Sequence, residues 1–145
     1  MVKIYCYGTE AIEEDAAAIR VCRKISLRKI EFGLGNIEFI ESNSINDILE
    51  YFDDNKKEKQ KQGRLVIVDV AKGINEIKVM TEKDIGKLKT RNITSLHDFD
   101  LGFFLKMMKE VGMEAKIRII ALPVKFDVNE HNIGLVADKL KELAN

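Results

Sequence analysis

Leu65-Val66-Ile67-Val68, followed at once by Asp69, is the strongest strand signal in the chain. The run is apolar throughout, without the alternation of a half-exposed strand, and so reads as a strand buried on both faces. Working outward from it, Val2 to Tyr7 forms another such stretch ending at Gly8, Ile37 to Ile40 a further one, and Ile117 to Leu122 the last, stopped by Pro123. Glu76 to Met80 alternates well enough to add a strand near an edge. Helical spacing fills the gaps. An alanine-rich segment after the loop Thr9 to Asp15 carries Ile19, Cys22 and Ile25 on one face. Asn43 or Ser44 can cap a helix with Ile45, Ile48, Leu49 and Phe52 inside. Thr94 to Asp98 precede a helix with Phe99, Phe103, Met107 and Val111, and a final helix carries Ile133, Val136, Ala137, Leu140 and Leu143. Phe32-Gly33-Leu34-Gly35-Asn36 is a glycine-punctuated break, and Asn55 to Gln62 a charged surface loop. Buried strands separated by helices imply an α/β fold: a three-layer α/β/α sandwich around a mostly parallel sheet of about five strands. Without repeats or a linker, residues 1–145 read as a single domain.

Composition narrows the function classes. The 145 residues are 46% hydrophobic and 33% charged, with one proline, as in an ordinary globular protein. Lys+Arg and Asp+Glu stand at 24 each, a balance that gives no global attraction to nucleic acid or an anionic membrane. The lysine-rich stretch Lys56 to Lys61 has no interleaved aromatics and reads as a solvated loop. No apolar run approaches the roughly 20 residues that span a bilayer, and MVKIYCYGTE turns polar too soon for a secretory signal. Cys6 and Cys22, one in a strand pattern and one in a helix pattern, are expected as buried thiols in a reducing compartment. The expected location is the cytoplasm, with no nucleic-acid partner and no membrane insertion.

In open α/β sheets, ligands bind outside the carboxyl ends of the strands. That rule selects Glu10, Glu13, Glu14 and Asp15 after the first strand, Asp69 at the end of the central one, and Ser95 and His97 before the helix that carries Phe99. Two carboxylates and an imidazole make a plausible set of metal ligands, with coordination positions left open for a substrate. Each residue also has a structural reading. Asp69 can cap a helix or bind loop amides, Glu13, Glu14 and Asp15 can serve as charges at a helix N-terminus, and His97 can be a surface or capping histidine. Other chemistries find little support. Ser95 has no G-x-S-x-G elbow around it, Cys6 lies inside a strand, and nothing recognisable pairs with His131. Gly33-Leu34-Gly35 follows a helix without completing G-x-G-x-x-G, and the acidic loop behind Gly8 repels phosphate.

Three blocks together resemble the hydrogenase maturation endopeptidase family: Gly8-Thr9-Glu10-Ala11-Ile12-Glu13-Glu14-Asp15-Ala16-Ala17-Ala18-Ile19-Arg20, then Val66-Ile67-Val68-Asp69-Val70-Ala71, then Ile93-Thr94-Ser95-Leu96-His97-Asp98-Phe99-Asp100-Leu101-Gly102. The last strand ending at Pro123 fits as well. The resemblance implies an endopeptidase that removes the C-terminal extension of a nickel-loaded hydrogenase large-subunit precursor. Its metal-contacting and catalytic trio would be Asp15, Asp69 and His97, with Glu14 in place of Asp15 if the first block slips by one residue. The nickel would arrive in the precursor, and the resemblance does not assign which residue acts as base. Gly8-Thr9 stands where the family has glycine-asparagine, alanines replace a glycine after the acidic pair, and Glu41-Ser42-Asn43-Ser44 replaces a glycine-rich segment. The trio is untouched by these departures. They leave two alternatives open: an accessory protein that binds a hydrogenase precursor without cutting it, and another metal-dependent peptidase on a similar sandwich.

Overall fold

The computed structural model describes residues 2–8, 11–13, 16–42, 64–81 and 116–144. Their elements follow in the order β1 (Val2–Tyr7), α1 (Ala16–Leu27), β2 (Ile37–Ser42), β3 (Arg64–Ala71), β4 (Lys78–Thr81), β5 (Lys116–Pro123) and α2 (Glu130–Ala144). The strands form one sheet in the order β2-β1-β3-β5-β4. The β1–β2, β1–β3 and β3–β5 pairs are parallel, and β4 lies antiparallel to β5 at the edge. The expected α/β architecture with a mostly parallel five-stranded sheet is the one observed.

Side-chain alternation divides the sheet into two faces. Ile4 and Cys6 of β1, Val66, Val68 and Val70 of β3, and Ile120 and Leu122 of β5 pack in one cluster with both helices. From α1 come Ala18, Ile19, Val21, Cys22 and Ile25; from α2 come Ile133, Val136, Ala137 and Leu140. Spacings of three and four residues put these on one side of each helix, and each fully buried aliphatic side chain contributes roughly 1.5–3 kcal/mol. The opposite face carries Tyr5, Tyr7, Leu65, Ile67 and Ile119, which are buried too. Burial of both faces explains why these strands read as continuous apolar runs. The expected helices starting near Asn43 and after Asp98 lie outside the described residues.

Helix ends follow local chemistry. Asn129 caps α2, its Oδ1 accepting from the Asn132 backbone N–H at 2.9 Å. Beyond α1 the chain reverses through Gly33, whose φ of +72° suits a residue without a Cβ. Leu34 N–H donates back to the Lys29 carbonyl at 2.7 Å, closing that turn. Arg28 joins the two helices: its Nη1 donates to both Glu130 oxygens at 2.8 Å, its Nε to Glu31 at 2.6 Å, and its guanidinium lies 4.7 Å from the Phe32 ring centre.

Three expectations need correction. Cys6 and Cys22 are buried, but as a disulfide rather than as thiols, with Cα atoms 6.6 Å apart. Alternation along β1 turns Cys6 toward the face covered by α1, and helical spacing aligns Cys22 with Ala18 and Ile25 on the inner side of α1. The central strand also runs past Asp69, because β5 pairs with it from Arg64↔Lys116 through Asp69↔Ala121 to Ala71↔Pro123. Asp69 is therefore an interior residue of β3, and Pro123 is the last residue of β5 rather than a stop placed after it.

Candidate active site

The strand order reverses between β1 and β3, since β1 carries β2 on one side and β3 on the other. A crevice outside the carboxyl ends of the strands is expected at such a point. Three neighbouring strands define its rim. Tyr7 pairs with Ser42, and it stands one residue beyond the Cys6↔Val68 pair, in the row that Asp69 and Ala121 continue. β1 and β2 end in this row, whereas β3 extends two residues further. Asp69 thus meets the level at which β1 leaves the sheet.

Asp69 is only 2% exposed. Its Oδ1 accepts a hydrogen bond from the Val70 N–H at 2.8 Å. A carboxylate this buried is retained only where hydrogen bonds or charges compensate its lost hydration. Tyr7, also 2% exposed, and Ser42, 6% exposed, are its buried polar companions in the row. Neither stood out in the sequence, where Tyr7 reads as one more apolar strand residue and Ser42 as part of a polar stretch. The signal for both is the parallel register, which only the fold supplies. Gly8 ends the β1 side: its N–H donates to the Ser42 carbonyl at 3.0 Å, and its φ of +149° is one that side-chain-bearing residues rarely adopt.

The acids near this rim divide by partner. Arg20 donates from Nη1 and Nη2 to the Glu13 carboxylate at 3.0 and 3.2 Å. That hydrogen-bonded pair, and then the charge of Arg20, lower the Glu13 pKa from its ordinary value. Arg23 similarly holds Glu41 through contacts of 2.8 and 2.7 Å and lowers its pKa, chiefly by hydrogen bonding. Glu13 therefore serves α1 as an ion-pair partner, a structural role other than the helix-terminus charge expected for it. Of the expected trio, Asp69 is described, while Asp15 and His97 lie outside the described residues, as do Glu10, Glu14 and Ser95. Among the described residues no group of three His, Cys, Asp or Glu side chains is arranged to hold a metal ion. His131 sits exposed in the first turn of α2.

The family model of the hydrogenase maturation proteases matches residues 31–142, most of the chain. The chain belongs to that family. The matched stretch begins beyond the Gly8 to Arg20 block and includes Asp69 and His97. Three solved structures of hydrogenase maturation enzymes share the family fold with this member. A hydrogenase 3 maturation protease is 18% identical with a TM-score of 0.66, over 99% of this chain and 90% of that one. The hydrogenase maturating endopeptidase HybD from E. coli is 14% identical with a TM-score of 0.61, over 97% and 92%. A hydrogenase 2 maturation peptidase from Thaumarchaeota archaeon SCGC_AB-539-E09 is 15% identical with a TM-score of 0.56, over 99% and 97%. No curated protein matches the chain in sequence at a significant level. Among the described residues no helix is long and apolar enough to cross a membrane.

Proposed function

We propose that this member of the hydrogenase maturation proteases is an endopeptidase that removes the C-terminal extension of a nickel-loaded hydrogenase large-subunit precursor in the cytoplasm. The observation that carries the reading is the family match across residues 31–142, which takes in both Asp69 and His97. Burial of Asp69 at the reversal point of the strand order supports a functional role for its carboxylate. Asp15, Asp69 and His97 are the proposed nickel-contacting trio, with Glu14 as the substitute for Asp15. Two carboxylates and an imidazole suit a borderline cation such as nickel.

In this reading nickel is part of the substrate. Three side chains hold it weakly alone, so recognition requires the ligands that the precursor brings. Cleavage then follows metal loading, because an empty precursor gives the trio nothing to grip. Bound nickel can polarise the scissile carbonyl or activate a water, with one of the two carboxylates as base.

The test is cleavage of a precursor prepared with and without nickel by wild type, Asp69→Asn and His97→Ala. We expect a shortened product from wild type with the nickel-loaded precursor alone, and at least a hundredfold slower cleavage by each variant. Variants that cut at the wild-type rate would remove both residues from the site. Binding of the loaded precursor by wild type without cleavage would identify an accessory protein instead.

A further inference from the structure

The bond between Cys6 and Cys22 takes no part in the proposed chemistry, yet it closes a ring around the segment that contains Asp15. Cys6 is the last but one residue of β1, and Cys22 lies midway along α1. Between them the chain leaves the rim at Gly8 and enters α1 at Ala16. A second tether acts inside the ring, where Arg20 grips Glu13. That pair is solvent-exposed, with side-chain exposures of 41% and 82%, and pairs of this kind hold weakly. The covalent link is the stronger of the two. Its cysteines are 0% and 1% exposed, so an external thiol reaches the sulfurs only when β1 and α1 part locally.

We propose that the Cys6–Cys22 bond is a redox-dependent brace that locks the end of β1 to the middle of α1, and with them the residues Ala11 to Glu13 that lie between. Reduction by a small dithiol breaks the Sγ–Sγ bond: two electrons and two protons pass to the protein to give two thiols, and the dithiol becomes its own cyclic disulfide. A small disulfide reverses the step. In the reduced state the covalent link between β1 and α1 is gone, and Ala11 to Glu13 are held less tightly to the helix.

The first experiment counts thiols. Wild type purified without reductant is alkylated in denaturant and weighed; we expect no added mass, and two alkylated cysteines would overturn the proposal. The second is limited digestion, under native conditions, of oxidised wild type, dithiol-reduced wild type and Cys22→Ser with a glutamate-specific protease. We expect cutting after Glu13 to rise at least tenfold in the two samples without the bond, while cutting after Glu38 and Glu41 in β2 stays unchanged. Equal rates in all samples, or equal acceleration at all three positions, would overturn the brace, the latter because it reports general unfolding. Precursor cleavage by the oxidised and reduced protein is read alongside. Loosening at Glu13 with no cleavage in either state would sink the peptidase reading and leave the brace standing.

Discussion

At the scale of single residues, partners decide what an acid does. Glu13 and Asp69 were both legible as acids near the carboxyl rim, but their fates were not. Glu13 is claimed by Arg20, seven residues ahead on α1, and which way that arginine points depends on where the helix begins. The claim has a pH signature. Because Arg20 lowers the folded-state pKa of Glu13, and Arg23 that of Glu41, each pair stabilises the fold fully above the unfolded carboxylate value of about 4.3. That stabilisation is lost as pH falls through the depressed folded value. A carboxyl-detected NMR titration should show both side chains titrating below the usual glutamate range, and Arg20→Ala should return Glu13 to it without moving Glu41. A Glu13 that titrates normally in the wild type would mean the pair does not persist in solution. Asp69 was legible as an acid near the rim, but its depth in the strand was hidden, because β5 rather than the local sequence sets where β3 ends.

Elements were more legible than residues. Apolar runs gave β1, β2, β3 and β5 to within a few residues, and spacing gave the inner faces of α1 and α2, since burial leaves its period directly in the sequence. The edge strand begins two residues later than its alternation promised, at Lys78. The glycine-rich break after α1 was also legible, although which glycine carries the reversal was not. Gly33 does, at φ +72°. A Cβ there would find Lys141 Nζ at 3.4 Å, the movable end of a long side chain, so space is not the obstacle. The backbone angle is. Gly33→Ala should destabilise the protein by about 1–2 kcal/mol, read as a lower urea midpoint with unchanged m-value. Gly35→Ala, where no positive φ is imposed, is the control and should cost less.

For the molecule as a whole, the sequence conveyed the mostly parallel sheet but not the cross-link. Two cysteines 16 residues apart say nothing about a bond until β1 and α1 are packed with the faces of Cys6 and Cys22 opposed. Once formed, the bond constrains the unfolded chain, and a ring of this length is worth about 3 kcal/mol on the chain-entropy model. Cys22→Ser should therefore unfold at a lower urea concentration by about that free energy, and dithiol treatment should bring wild type to the same midpoint while leaving the variant unmoved. Reduction that shifts both proteins equally would place the effect elsewhere. A different consequence follows from the strand order. The chain is synthesised from β1 onward, yet β5 belongs between β3 and β4. At about 5–20 residues per second, translation from the end of β3 to the start of β5 takes on the order of a few seconds. During that interval a nascent β3 offers one row of backbone donors and acceptors to whatever strand arrives first. The central run that defines the fold is thus also exposed on the ribosome until β5 is made, and slower decoding of that interval widens the opening for a wrong partner.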